Sequence, residues 1–204
     1  MSKKTDTEST TSIIVFIKNP RLGHVKTRLA KDVGDEKALE IYLRLTEHTK
    51  KVLAEVPNTK RCVYYSEFID ESDDWSDEMF IKELQSDGDL GKRIKHAFSK
   101  VFKHSDKAII IGSDCAQLSP DHIQHAIDAL EKNNVVIGPS LDGGYYLLGM
   151  DSNYQFLFED IEWSTESVFE STKSQSIDHG LTIAEIETLS DIDYIEDWDK
   201  YGLD

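Results

Sequence analysis

Cysteine is nearly absent, with two residues in 204, Cys62 and Cys115. Each lies in or beside an apolar, strand-like run, where a free buried thiol is the simple expectation, so no disulfide framework is expected to hold the chain together. Long apolar runs are missing as well. None approaches the roughly 20 residues needed to span a bilayer, which excludes a membrane span. The first twelve residues carry no apolar core segment of the secretory kind and are expected to form a disordered leader. Residues 13–204 are then expected to make a single domain in the cytoplasm. Basic charge is scarce: 23 Lys and Arg against 39 Asp and Glu give a net charge of −16. Such a field repels nucleic acid and anionic membranes, so any phosphate site has to be a local basic pocket. H-E-x-x-H, G-x-S-x-G, the Walker pattern and G-x-G-x-x-G are all missing. Zinc, serine-hydrolase, ATPase and generic dinucleotide chemistry therefore have no footing.

What is present is an alternation of strand and helix signals. Ser12–Ile17 is a short β-branched run that suggests a strand buried on both faces. Asp35 is expected to cap a helix carrying Ala38, Ile41, Tyr42, Leu45, Val52 and Val56 on one face, stopped at Pro57-Asn58. Strands are expected at Arg61–Ser66 and Ile81–Leu84, separated by an acidic stretch, Glu67–Glu78, without clear period. Asp89 is placed to cap a helix on which Leu90, Ile94, Ala97, Phe98, Val101 and Phe102 share a face. Ala108–Ile111 reads as a strand, and Ser119-Pro120 opens a helix bearing Ile123, Ala126, Ile127 and Leu130. Strands follow at Val135–Gly138 and Tyr145–Met150, a helix start at Ser164–Ser167, a late strand at Leu181–Glu187, and a short final helix capped by Asp193. This order predicts an α/β fold with a mostly parallel central sheet covered on both faces, and ligands at the carboxyl ends of its strands.

Five segments could carry chemistry. Lys18–Leu29 follows the first strand with four basic side chains. There Gly23 permits a close turn, Lys26 offers a point charge for a phosphate, and Arg28 can fork two oxygens. The bland alternative is a solvated basic turn. Gly112-Ser113-Asp114-Cys115 ends a strand; Asp114 there is a metal carboxylate or a turn aspartate bonded to its own backbone. Asp142-Gly143-Gly144 reads as a tight hairpin turn, or as a loop whose glycines admit a ligand and whose Asp142 accepts from hydroxyls or joins the metal. Gln85–Arg93 opens a helix where free N–H groups could meet an anion, with Arg93 in the first turn; capping by Asp89 is the structural alternative. Asp191–Asp197 holds four carboxylates in seven residues, and Asp193 with Glu196 matches a capping box.

Taken together, these segments resemble a bacterial family of transferase-like proteins with the nucleotide-diphospho-sugar transferase (GT-A, Rossmann-like) fold, called glycosyltransferase-like or radical-SAM/selenodomain-associated transferases. The likeness runs from Ile13 to Trp198. It is carried by Lys18-x-Pro20-x-x-Gly23-x-Val25-Lys26-Thr27-Arg28-Leu29, Gly88-Asp89-Leu90-Gly91-x-Arg93, Gly112-Ser113-Asp114-Cys115, Gly138-Pro139-x-x-Asp142-Gly143-Gly144-Tyr145-Tyr146 and Trp163-Ser164-Thr165. The chain is also similar to phospholactate guanylyltransferases through Lys26-Thr27-Arg28-Leu29. The resemblance implies a three-layer α/β/α fold, with a nucleotide in the N-terminal half and an acceptor pocket in the C-terminal half. It places Lys18, Gly23, Lys26, Thr27, Arg28, Gly88, Asp89 and Arg93 against the nucleotide. Mg²⁺ or Mn²⁺ falls on Asp114 and Asp193, and catalysis on Lys26, Asp114 and Asp142. The partners it implies are a nucleotide or nucleotide-sugar and a small-molecule acceptor. One departure is informative: sugar transferases of this fold carry Asp-x-Asp at the metal, whereas here Gly112-Ser113 precede a lone Asp114, as in nucleotidyltransferases. Three readings stay open, namely glycosyl transfer, nucleotidyl transfer with pyrophosphate release onto a phosphorylated molecule, and a noncatalytic nucleotide-binding module.

Overall fold

A computed structural model of the protein describes residues 10–203. The elements run β1 (Thr11–Ile17), α1 (Ala30–Val33), α2 (Asp35–Glu55), β2 (Thr59–Tyr65), β3 (Ile81–Leu84), α3 (Leu90–Val101), β4 (Lys107–Ile111), α4 (Pro120–Ala129), β5 (Val135–Pro139) and β6 (Tyr145–Met150). A single 3₁₀ turn at Gln155–Phe158 precedes α5 (Val168–Asp178), β7 (Ile183–Glu185) and α6 (Ile195–Tyr201). The seven strands form one sheet in the order β3-β2-β1-β4-β6-β5-β7. All pairings are parallel except those of β6, which runs antiparallel to both β4 and β5. The sheet is thus mostly parallel, as expected, and β5 and β6 form a hairpin across residues 140–144.

Period-two patterning explains the layers. Ile13, Val15 and Ile17 of β1 and Ile109 and Ile111 of β4 face one side, where α2 (Val52, Leu53) and α4 (Ile123, Ala126) cover them. Ile14, Ala108 and Ile110 face the other side, against α3 (Ile94, Ala97, Phe98, Val101). Both faces are therefore dry, which is why these strands read as continuous apolar runs. Each fully buried Ile or Leu contributes about 1.5–3 kcal/mol. A third cluster ties Ile192 and the aromatic face of α6 to Leu29, Ile41 and Leu45 beside the β1–α2 connection. Cys62 and Cys115 are free and buried in the clusters on opposite faces. Burial is the first cause pushing their thiols up, to about 11 and about 12.

Several boundaries differ from the sequence expectation. β1 starts at Thr11, so residues 10–12 belong to the fold, where the Thr10 amide donates to Asp106 at 2.8 Å; the rest of the expected leader lies outside the described residues. Gly34, not Asp35, is the N-cap of α2. Its φ of +82° supplies a turn between the unanticipated α1 and α2 that a side-chain cap cannot. α5 begins at Val168 rather than at Ser164–Ser167, and β7 is only three residues long. Asp193 does not cap α6; Tyr194 does, and Asp197 reaches back to accept from the Asp193 and Tyr194 amides at 3.0 and 2.9 Å. That arrangement leaves the Asp193 carboxylate free to face the β1–α2 connection. Among the described residues no helix is long and apolar enough to cross a membrane.

Candidate functional site

β1 has β2 on one side and β4 on the other, so successive connections diverge from it. A crevice at the carboxyl end of such a switch point is where open α/β sheets bind ligands. Here it is a cavity of about 710 Å³. Its floor is set by the ends of β1 and β4, and its rim by residues 140–146, 163–168 and 191–193.

The loop after β1 is held from two sides. The Tyr42 hydroxyl, from α2, accepts from the Lys18 amide at 2.8 Å and donates to the Lys18 carbonyl at 2.7 Å. Burial, and then the nearby Asp114 charge, push this phenol up to about 12, which keeps the hydroxyl a donor. Asn19 fastens the same loop to the β2–β3 connection, accepting from the Glu67 amide and donating to the Phe68 carbonyl, both at 2.9 Å. Gly23 then turns at φ +75°, and Lys26 takes φ +47°, a conformation uncommon for a non-glycine residue. This backbone sends Lys26 inward: its side chain is only 4% exposed. The ammonium lies 3.0 Å from Asp114 Oδ2 and 3.7 Å from Asp193 Oδ1, without aligning as a hydrogen-bond donor to either. Arg28 donates to Asp193 Oδ2 at 2.8 Å.

Asp114 leaves β4 with its carbonyl accepting from the Ile192 amide at 3.0 Å, so the C-terminal segment is laced to the end of β4. The same segment is bridged to the end of β5 through Ser140 and Leu189. Threaded between the two strand ends, it delivers Asp193 and also Asp191. Asp191 lines the cavity; its carbonyl accepts from the Ser190 hydroxyl at 3.3 Å, but among the described residues its carboxylate accepts no hydrogen bond and is pushed up to about 7, first by burial and then by the charges of Asp114 and Asp142. Opposite, Asp142 caps its own turn, accepting from the Gly144 amide at 3.0 Å and from the Ser140 hydroxyl. The structural reading of Asp142-Gly143-Gly144 as a hairpin turn therefore holds, and Asp142 also lines the cavity. A Cβ on Gly143 would fall 2.1 Å from the Glu166 carbonyl oxygen, so this turn and the segment before α5 pack backbone to backbone.

The expected nucleotide residues separate into two groups. Lys18, Lys26, Thr27, Arg28 and Arg93 line the cavity together with Asp114, Asp142 and Asp193. Gly23, Gly88 and Asp89 lie outside its lining. Asp89 caps α3 by accepting from the Lys92 amide at 2.9 Å, and the Gly88 carbonyl accepts from Arg93 Nε at 2.9 Å, which steers Arg93 inward. Sequence reasoning gave no individual site role to Tyr42 or Glu166, and named Gln85 and Asp191 only within larger candidate segments. The Gln85 amide donates to the Ile17 and Tyr64 carbonyls at 3.1 and 3.0 Å, joining the ends of β1 and β2 under the cavity. The acid-rich run at 191–197 was the one available signal for Asp191.

Among the described residues no group of three or more His, Cys, Asp or Glu side chains is arranged to hold a metal ion. The donor set suits a cation completed by its ligand: two hard carboxylates, Asp114 and Asp193, already converge on one positive charge, the Lys26 ammonium. Mg²⁺ and Mn²⁺ are commonly held by one or two carboxylates plus phosphate oxygens and water.

The α/β fold with its mostly parallel seven-strand sheet matches nucleotide-diphospho-sugar transferase and nucleotidyltransferase structures. A structure from Desulfovibrio desulfuricans G20, described as a candidate nucleotide-diphospho-sugar transferase, matches with a TM-score of 0.84 at 28% identity over 92% of this chain and 84% of that one. CMP:2-keto-3-deoxy-manno-octonic acid synthetase complexed with CTP matches at 0.57 and 11% identity, covering 94% and 96% of the two chains. Rv0371C of Mycobacterium tuberculosis H37Rv, in complex with manganese, matches at 0.58 and 10%, covering 95% and 97%. The two distant likenesses show the fold alone. No functionally curated protein matches the chain. Residues 46–165 match the family described as uncharacterized proteins conserved in bacteria (DUF2064), and the chain belongs to that family.

Proposed function

We propose that the protein is a metal-dependent transferase that takes a nucleotide-activated donor, with glycosyl transfer from a nucleotide-sugar as the leading reading. The observation that carries it is the pairing of a buried, unaligned Lys26 ammonium with Asp114 and Asp193 at the switch point of the sheet. Lys26 and Arg28, with Lys18 and Arg93 at the rim, neutralise the donor's phosphates. Asp114 and Asp193 hold Mg²⁺ or Mn²⁺, which, when bound, lowers the cost of charge building on the diphosphate leaving group. Asp142 orients the acceptor hydroxyl and receives its proton as that oxygen bonds to the transferred carbon. Most of the acceleration would come from positioning and charge neutralisation. The fold neighbours that bind CTP and manganese support a nucleotide and a divalent cation in a cavity of this kind.

A second reading, nucleotidyl transfer, is favoured by one specific feature, the lone Asp114 after Gly112-Ser113 in place of Asp-x-Asp. Two measurements test the proposal. A thermal-shift panel of nucleoside di- and triphosphates and nucleotide-sugars, with and without Mg²⁺ or Mn²⁺, should reveal a stabilising donor, since a ligand of the native state raises its stability by mass action. No shift with any member refutes both transferase readings. Product analysis then separates them: a released nucleoside diphosphate supports glycosyl transfer, and pyrophosphate contradicts it.

A further inference from the structure

The charges in the cavity are segregated by chain half. All four of its basic side chains, Lys18, Lys26, Arg28 and Arg93, come from residues before 94. The wall from Ser140 onward contributes Asp142, Glu166, Asp191 and Asp193, with hydroxyls such as those of Ser164 and Thr165, and no Lys, Arg or His. Of its four acids only Asp193 is ion-paired, to Lys26 and Arg28. No ion pair within 4.0 Å is made by Asp142, Glu166 or Asp191 among the described residues. A metal held by Asp114 and Asp193 leaves these three without an ion-pair partner, although Asp142 accepts from the Ser140 hydroxyl and the Gly144 amide. The backbone of Glu166 is fixed, because its carbonyl abuts Gly143 and the Phe169 amide donates to the Gly143 carbonyl at 3.0 Å, while its side chain is exposed. Trp163 stands beside it, its indole packed on Gly91 at the start of α3 and stacked with Phe158, and lines the same cavity.

We infer that the acceptor is a hydroxylated molecule that carries no phosphate or carboxylate, being neutral or bearing an amine. This rests on the transferase reading above and adds the acceptor's class to it. A phosphate on the acceptor would meet three carboxylates that no cation pairs, since on this wall Lys26 and Arg28 form ion pairs with Asp193 alone. Hydroxyls donate well to ionised carboxylates, an ammonium pairs with them, and a ring face packs on an indole. The acidity of the whole chain does not account for this, because the opposite wall of the same cavity is basic.

The test uses two probe pairs that differ by one phosphate, glucose with glucose 6-phosphate and glucosamine with glucosamine 6-phosphate. They are titrated by calorimetry into the full chain saturated with whichever nucleotide stabilises it. The unphosphorylated member of at least one pair should bind at least about tenfold more tightly than its phosphorylated partner. Glu166→Lys, whose side chain makes no ion pair in the fold, should narrow or reverse that ratio; Glu166→Gln should move it the same way by less. Tighter binding of the phosphorylated members, a ratio unmoved by both variants, or no binding by any of the four probes overturns the inference. Nucleotide affinity, measured in the same series, tells the two failures apart. If it persists while the acceptor preference fails, only the acceptor inference falls; if it is absent, the transferase reading falls as well.

Discussion

Replacing Lys26 by Met keeps the stem of the side chain and deletes the charge between Asp114 and Asp193. The stem is 4% exposed, whereas the two carboxylates are 42% and 32% exposed. Removing one partner of a fully buried pair costs about 3–5 kcal/mol; partial solvation of the two acids reduces this to about 1–2 kcal/mol. For a chain of this size each kcal/mol moves Tm by about 2–4 °C, so Lys26→Met should melt about 2–8 °C below wild type. Scanning fluorimetry without ligand reads this directly. A second arm adds Mn²⁺ alone. In wild type the ammonium competes for the carboxylates, so the ion should stabilise little; in Lys26→Met it should restore much of the lost Tm. The stabilising nucleotide should lose most of its effect on the variant, because a phosphate partner has gone. An unchanged Tm, with Mn²⁺ shifting both proteins equally, would refute the view that Lys26 occupies a cation site.

Gly91→Ala would place a Cβ 2.1 Å from Trp163 Nε1, so the indole must leave the cavity wall; a shifted tryptophan emission is expected, and an unchanged spectrum would contradict the packing. Gly143→Ala meets the Glu166 carbonyl at 2.1 Å at a φ of +88°, and neither backbone can yield. It should lower stability by about 2 kcal/mol or more in denaturant melts. Asp191 is raised from 3.8 to about 7, so the fold resists its ionisation; that penalty is absent below pH 3.8, grows toward pH 7 and is complete above it. Asp191→Asn should therefore raise Tm at pH 8.5 and leave it nearly unchanged at pH 4, and an equal shift at both values would exclude the carboxylate charge as the cause.

What could be read from the chain depended on whether the signal was local. Ile13–Ile17 and Ala108–Ile111 declared themselves as buried strands because both faces of the sheet are covered, and Leu90–Val101 as a helix because one stripe is apolar. The loops after β1 and β4 were identifiable by their place between a strand and a helix. Caps differed from expectation: Asp35 and Asp193 have the right chemistry for the role, but Gly34 offers a turn at positive φ and Asp197 supplies the reach-back to Tyr194. Residues whose role depends on distant backbone could be placed in a segment but not given that role. Tyr42 matters because its hydroxyl meets Lys18, Gln85 because its amide joins β1 to β2, and Asp191 because residues 189–193 thread between two strand ends. Nothing in the local sequence encodes those meetings.

Asp114 and its neighbours are proposed to bind a cation jointly with a nucleotide. The decisive measurement is electron paramagnetic resonance of Mn²⁺ titrated with the full chain and the nucleotide that stabilises it. The free Mn²⁺ signal should fall with wild type when nucleotide is present, far less when it is absent, and little with Asp114→Asn in either case. Equal loss of signal for wild type and Asp114→Asn, or nucleotide binding indifferent to Mn²⁺, would contradict it.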